Sequence, residues 1–347
     1  MTVVCDSFGR IMKAREGDLI ETIDGNIFDV KGLVHPPDRV IAFIRFTPDL
    51  NGERRRGETR YRKVYALHER YELLRRKFPQ YLVLDPAFSQ WLCEVPNEIV
   101  KQHYEPSAYL SQLRRKSLLD ELETQALELA QLLHVESGVG WSALGISGSL
   151  LAGLHTSKSD IDLVVYGSRN CRRVYNMLSS LVRDKTSGLK SYKKHDLERL
   201  FDFRSKDTMM EFEDFVRTES RKLLQGKFHE RDYFIRCVKA WDEVPETYGA
   251  VQYKSVGEAK VRATVTDDSE MIFTPCTYRI DGVQVHEGKY SNSIREIASY
   301  RGRFCEQARN GEEIVALGMV ESVKKGANEY FRLLLGNKPS DFMILAR

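Results

Sequence analysis

No run of about 18 apolar residues without charge occurs in this chain, so a transmembrane helix is not expected. The N-terminal stretch MTVVCDSFGRIMKAREGD has no basic start, apolar core or small-residue cleavage site, which argues against a secretion signal and for a cytoplasmic protein. The six cysteines (Cys5, Cys93, Cys171, Cys237, Cys276 and Cys305) include no CxxC pair. Structural zinc sites draw their ligands from closely spaced pairs, so none is expected here. A disulfide framework does not suit a chain of this size and compartment, and the thiols are expected as small buried apolar groups. An excess of one charge is missing too: 53 Lys and Arg stand against 50 Asp and Glu, a net charge of +3, which does not by itself mark a nucleic-acid binder. Fixed-period repeats and low-complexity tracts are also absent.

What remains is an ordinary globular composition, 42% hydrophobic and 30% charged over 347 residues, which excludes a disordered chain and implies two or three structural units. Basic residues gather locally at Arg54-Arg55-Arg56, Arg60 to Lys63, Arg75-Arg76-Lys77 and Arg114-Arg115-Lys116. Such clusters suit phosphate tracking, or solvated helix and loop faces where acidic neighbours stand close by.

Along the chain, GDLIETIDGNIFDVKGLV reads as two strands around Asp24-Gly25, a dipeptide suited to a tight hairpin. RVIAFIRF is a third strand ending at Pro48, and NGERRRGETR is too polar to bury and reads as an exposed loop. LHERYELLRRKF has helical spacing of Leu67, Tyr71, Leu74 and Phe78. A long helix is expected from Pro106 through SQLRRKSLLDELETQALELAQLLH. WSALGIS then reads as a strand, SLLAGLH as a short helix, DIDLVVYG as a strand and residues 169–183 as a helix. HDLERLFDFR and DTMMEFEDFVRTESRKLL are helical, and DYFIRCV alternates like an edge or half-buried strand. Beyond Trp241, VRATVTD, MIFTPCTYRID, GVQVHEG, EEIVALGMVESV and EYFRLLLG read as short strands of a small barrel or sandwich.

The chemistry concentrates in Gly145-Ile146-Ser147-Gly148-Ser149 and the later Asp160-Ile161-Asp162. Strand alternation puts Asp160 and Asp162 on one face, with Ile161 in the core. Two adjacent carboxylates repel each other, and a divalent cation relieves the repulsion. Mg²⁺ takes carboxylate and phosphate oxygens and keeps several waters, so two carboxylates facing a triphosphate suit a two-metal site. Gly148 would let the backbone approach phosphate oxygens, and the Ser149 hydroxyl could donate a further hydrogen bond to them.

The segment GISGS…SDIDLVV resembles the signature of the DNA polymerase β-like nucleotidyltransferase superfamily, over about residues 141 to 170 and more loosely to about 240. The resemblance implies a mixed sheet with flanking helices, two Mg²⁺ ions with Mn²⁺ able to substitute, and transfer of a nucleoside monophosphate from an NTP with release of pyrophosphate. It also implies a third carboxylate on a later strand. Asp232 is chosen for that role, ahead of Glu230 and Asp196. Many members of the superfamily carry an arginine shortly after the Gly-Ser turn. This chain reads Leu150-Leu151-Ala152-Gly153-Leu154 there, with no basic residue before Lys158. Lys158, His155 or the C-terminal part of the chain would then meet the triphosphate charge.

Other motifs fail or stay open. Leu154-His155 stands where a P-loop requires Lys and then Ser or Thr, and Ser147-Gly148-Ser149 is not a hydrolase elbow. Scattered cysteines and histidines give no nucleophile signal. His155 and His195 suit phosphate contact or plain structural packing, and Tyr61, Tyr65 and Tyr71 suit base stacking or core packing. The C-terminal strands suit an OB-like nucleic-acid module or an ordinary packing domain.

The expected architecture is α+β: a β-hairpin and helical unit over 1–104, a mixed-sheet nucleotidyltransferase core with flanking helices over 105–240, and a small β domain over 241–347. The expected activity is Mg²⁺-dependent nucleotidyl transfer to a hydroxyl, with an RNA end the leading acceptor ahead of DNA, protein or a small molecule. Asp160, Asp162 and Asp232 would hold metal, and Gly148, Ser149 and Lys158 would hold the nucleotide. The alternative is a non-catalytic nucleotide- or RNA-binding protein that keeps the fold. No membrane partner is expected, and the oligomeric state is not legible.

Overall fold

The computed structural model describes residues 12–288 and 294–347, so Cys5 lies outside it. The fold is mixed α+β, with three sheets and seven α-helices among the described residues. Two compact units divide the chain. The first comprises Met1–Leu84, Trp91–Lys190 and Leu224–Tyr248, and the second comprises Asp85–Gln90, Ser191–Leu223 and Gly249–Arg347. The N-terminal sheet and the central sheet belong to one unit, and the helical stretch 191–223 belongs with the C-terminal strands.

The N-terminal sheet contains β1 (Leu19–Thr22), β2 (Ile27–Val30), β3 (Arg39–Pro48), β4 (Arg54–Arg56) and β5 (Thr59–Lys63). Helix α1 (Leu67–Lys77) follows, then β6 (Leu82–Asp85), β7 (Gln90–Pro96) and β8 (Val100–Tyr104). Its order is β4-β5-β3-β2-β1-β8, with β7 pairing β3 and β6. The β1–β2 hairpin turns at Asp24-Gly25, where Gly25 has φ +81°. Ile20, Phe28, Val30, Ala42, Ile44, Leu73 and Leu74 fill one core between sheet and helix.

The polar run 51–60 is not a loop. It forms the β4–β5 hairpin, with Arg54 opposite Tyr61 and Arg56 opposite Thr59. Its arginines find partners far away in sequence: the Arg56 guanidinium donates to Glu21 at 2.8 Å and to the Tyr104 hydroxyl at 3.1 Å.

The first unit continues with α2 (Pro106–Leu113), α3 (Glu121–Ser137), β9 (Leu144–Ile146), α4 (Gly148–Leu151), β10 (Ile161–Tyr166), α5 (Ser168–Arg183) and β11 (Leu189–Lys190). The single long helix expected from Pro106 is broken in two. Asp120 caps α3 by accepting the Glu123 N–H at 2.9 Å, and Glu123 reaches back to the Asp120 N–H at 3.2 Å. After α6 (Lys194–Arg204) and α7 (Phe212–Glu219) of the second unit, β12 (Gln225–Phe228) and β13 (Arg231–Val238) complete the central sheet. Its order is β11-β12-β13-β10-β9. β13 therefore lies inside the sheet rather than at its edge, parallel to β10 and antiparallel to β12. Helices α3 and α5 pack on β10, whose Leu163, Val164 and Val165 are buried.

The strands of the second unit are β14 (Val251–Asp267), β15 (Cys276–Glu287), β16 (Ile294–Ser299), β17 (Glu313–Lys325), β18 (Asn328–Leu335) and β19 (Phe342–Leu345). The stretch GVQVHEG is part of β15 rather than a strand of its own. Five strands close on themselves in the order β14-β15-β16-β18-β17-β14, with β16 parallel to β18. A five-stranded Greek-key ring of this order is the connectivity of an OB-type barrel. The described cysteines are all free and buried.

Candidate active site

The site begins where β9 ends. Antiparallel pairing of β9 with β10 puts Ile146 opposite Leu163, and the Ser147 N–H donates to the Asp162 carbonyl at 2.8 Å. The chain then turns through Gly148, at φ +64°, into the short helix α4. A Cβ on Gly148 would lie 1.9 Å from the Asp162 Oδ2. Glycine is therefore required twice, by the left-handed backbone and by the carboxylate packed against it.

Asp160 and Asp162 flank the buried Ile161 and stand on one face of β10, each half-buried. Neither carboxylate has a hydrogen bond or ion pair among the described residues. Burial raises the Asp162 carboxyl above its ordinary range, and the neighbouring Asp160 raises it further, against the opposing charges of Arg236, Arg45 and Lys63. The Ser149 side chain beside them is only 5% exposed, and its Oγ is buried with no hydrogen-bond partner. Buried hydroxyls are normally satisfied, so an orphan at this turn fits a group meant to meet a ligand.

Cations come from the N-terminal sheet of the same unit. Arg45 of β3 and Lys63 of β5 lie over the Tyr65 ring, 5.0 Å and 5.6 Å from its centroid. Neither side chain forms an ion pair among the described residues. Burial lowers Lys63 to about 8, helped by the charge of Arg45 and opposed by those of Asp160 and Asp162. Arg236 on β13 is spoken for by the fully buried Glu16, which also accepts the Gly32 N–H at 2.8 Å. The β4–β5 hairpin is fastened to the loop ahead of Asp160. Arg54 donates to the Leu154 carbonyl and the Ser159 Oγ, both at 3.0 Å, and Arg56 donates to the Ala152 carbonyl at 3.2 Å. From the opposite side, Arg231 donates to the Ser157 and Ser159 carbonyls at 2.6 and 3.1 Å.

The structure thus brings Gly148, Ser149, Asp160 and Asp162 together. Asp232 stands level with Asp160 on the adjacent parallel strand, because Tyr233 pairs with Ile161. Its carboxylate is held 2.9 Å from Lys227, the residue opposite it on β12. Among the described residues, no three His, Cys, Asp or Glu side chains gather as a metal site. Of the weaker candidates, Glu230 pairs with Lys190, and Asp196 accepts the Lys193 N–H at 3.1 Å to cap α6 in the other unit. His155 Nε2 meets the Asp120 carboxylate at 2.6 Å and ties the loop to the start of α3, while its buried Nδ1 has no hydrogen-bond partner. Lys158 is exposed on that loop, and His195 is exposed in the second unit beside Asp196.

Tyr61 is buried and accepts from Arg56, while the half-buried Tyr71 donates to the Trp91 carbonyl at 3.0 Å. Arg45 and Arg236 escaped the sequence reading, which named Lys63 within the basic cluster from Arg60 to Lys63. Arg236 had a signal, since alternation along β13 puts it on the face shared by Asp232 and Phe234. Arg45 had none.

These features define a two-unit α+β protein with an unpaired acidic pair packed on a glycine turn and faced by cations of its own N-terminal sheet. The chain is 31% identical over 341 residues to the uncharacterized protein MJ1086 of Methanocaldococcus jannaschii, covering 95% of this chain and 98% of that one. It belongs to the same family. No protein-family model matches the chain, and no solved structure does. Among the described residues, no helix is long and apolar enough to cross a membrane.

Proposed function

We propose that this chain is a Mg²⁺-dependent nucleotidyltransferase that moves a nucleoside monophosphate from an NTP to a hydroxyl, with an RNA end as acceptor, and that its central sheet is a nucleotidyltransferase core. One observation carries the reading: Asp160 and Asp162 stand bare on one strand face, against Gly148 and beside the orphaned Ser149 hydroxyl. A bare acidic pair is unfavourable without a cation, and Mg²⁺ accepts two carboxylates because substrate phosphates complete its shell. Bound metal, Mg²⁺ or Mn²⁺, would supply activation of the attacking hydroxyl and neutralise charge on the leaving pyrophosphate.

Asp160 and Asp162 would hold it. Asp232, level with Asp160 and 2.9 Å from Lys227, is the proposed third acid. Gly148, Ser149 and the exposed Lys158 face the nucleotide in this reading. The barrel supports an RNA acceptor, since OB-type barrels bind oligonucleotides on one sheet face.

The second reading is a nucleotide- or RNA-binding protein without catalysis. The lack of a gathered third carboxylate among the described residues favours it. Incubation with each α-labelled NTP, Mg²⁺ and total cellular RNA separates the two. Label passing to RNA with the wild type, and not with Asp160→Asn/Asp162→Asn, supports the transferase. Nucleotide binding without transfer to RNA, protein or small molecules supports the binder.

A further inference from the structure

The turn that would hold the nucleotide carries no cation of its own. From Gly148 to Ser157 the chain has no Lys or Arg, and the one ionisable side chain there, His155, has its Nε2 on the Asp120 carboxylate. Lys158, exposed on the loop, supplies one positive charge towards the nucleotide, fewer than a triphosphate brings. A magnesium-bound triphosphate still brings net negative charge, and phosphate sites meet such charge with Arg or Lys. Arg236 does not meet the need, because Glu16 neutralises it.

We propose that Arg45 and Lys63 of the N-terminal sheet form the triphosphate subsite, with Tyr65 as the platform that aims them across the acidic pair. This rests on the nucleotidyltransferase reading and adds the residues that discriminate a triphosphate from a monophosphate. Three observations support it. Both cations lack ion-pair partners among the described residues, in a chain where buried or half-buried charges such as Glu16, Glu21 and Arg204 are paired. Both lie over one aromatic ring, a contact that positions a cation without neutralising it. And the hairpin that carries Lys63 is fastened by Arg54 and Arg56 to the loop leading into Asp160, so its place relative to the acidic pair is set by hydrogen bonds rather than by a flexible side chain alone. The orphaned Ser149 hydroxyl follows Gly148, on the turn packed against Asp162. The N-terminal sheet thereby becomes part of the site rather than an appended unit.

Equilibrium dialysis of the full chain with each labelled NTP and Mg²⁺, beside the matching NMP, tests the proposal. Lys63→Ala and Arg45→Ala are each expected to weaken NTP binding by about tenfold or more and to leave NMP binding unchanged, while Lys63→Arg retains NTP binding to within about threefold. Lys101→Ala, on the exposed face of β8, serves as the control and is expected to match the wild type. Thermal melts of each variant separate lost binding from lost folding, and Lys63→Gln or Arg45→Gln replaces the corresponding alanine variant where it fails to fold. NTP binding that survives in folded Lys63→Gln and Arg45→Ala proteins overturns the subsite and leaves the nucleotidyltransferase reading standing. A wild type that binds no NTP with Mg²⁺ overturns both.

Discussion

Gly148 carries the tightest constraint in the site, because a methyl group there would collide with the carboxylate of Asp162 and the backbone sits at φ +64°. Gly148→Ala is expected to push the Asp162 carboxylate off its position and abolish the proposed nucleotide transfer, with a stability loss of about 1–2 kcal/mol from the strained backbone. Activity and urea unfolding measured on one preparation check both parts, and a fully active Gly148→Ala protein would contradict the packing described here.

His35 poses a second test at the same scale. Its ring Nε2 lies 3.0 Å from the Ala14 carbonyl and its Nδ1 accepts the Ile41 N–H at 3.2 Å, which is the pattern of a neutral ring. Burial lowers it to about 4, only partly opposed by the Ala14 hydrogen bond. The folded value lies below the unfolded one, so the stability it contributes is complete above the ordinary histidine value of about 6.5 and is lost as pH falls towards 4. That loss is on the order of 3 kcal/mol, read as the difference between urea unfolding at pH 7 and at pH 4. A His35→Asn protein should lack this acid-sensitive step, and a wild type equally stable at both values would rule the neutral ring out.

Among the secondary-structure elements, α3 shows how a short polar signal overrides an apolar pattern. Leucines recur from Leu110 to Leu133 and suggest one helix, yet Asp120 and Glu123 form a reciprocal cap and start a new one. Asp120 also holds His155, so Asp120→Ala is expected to cost about 1–2 kcal/mol in chemical denaturation, and an unchanged midpoint would remove the cap from the account. The Gly-Ser turn, the strand carrying the acidic pair and the hairpin at Asp24-Gly25 were legible because each depends on residue types at local spacing.

The β4–β5 hairpin was not legible, because its arginines are satisfied by Glu21, Tyr104 and the Ala152 and Leu154 carbonyls, none of them near in sequence. The interior position of β13 was equally hidden, since its half-buried pattern comes from helices on one face and the site on the other. The strands at 82–104 are short and interrupted by Pro86 and Pro96, which blurs the two-residue period.

At the scale of the whole molecule, the division into two units changes the meaning of the N-terminal sheet. It shares a unit with the acidic pair, through the Glu16–Arg236 ion pair, the Ser147 hydroxyl on the Gly17 carbonyl and the arginines of its hairpin. Barrel closure in the second unit depends on pairing Val251–Thr264 of β14 with β17, contacts about 60 residues apart along the chain, and no local pattern announces a ring closed over such a distance. Inside that unit the buried pair of Arg332 and Glu321, 2.8 Å apart, joins neighbouring strands of the ring. The family relationship to an uncharacterized archaeal protein extends over nearly the entire chain, so both units belong to the shared architecture.

If the acidic pair catalyses the proposed nucleotide transfer, pyrophosphate is released whatever the acceptor. The protein is incubated with Mg²⁺, the four NTPs and total cellular RNA, and released pyrophosphate is compared with that from Asp160→Asn and Asp162→Asn. The wild type is expected to release pyrophosphate, and each substitution to lower that release by about 100-fold or more. Release equal in the wild type and the two variants, or none from a wild type shown to bind NTP, would contradict the proposed transfer.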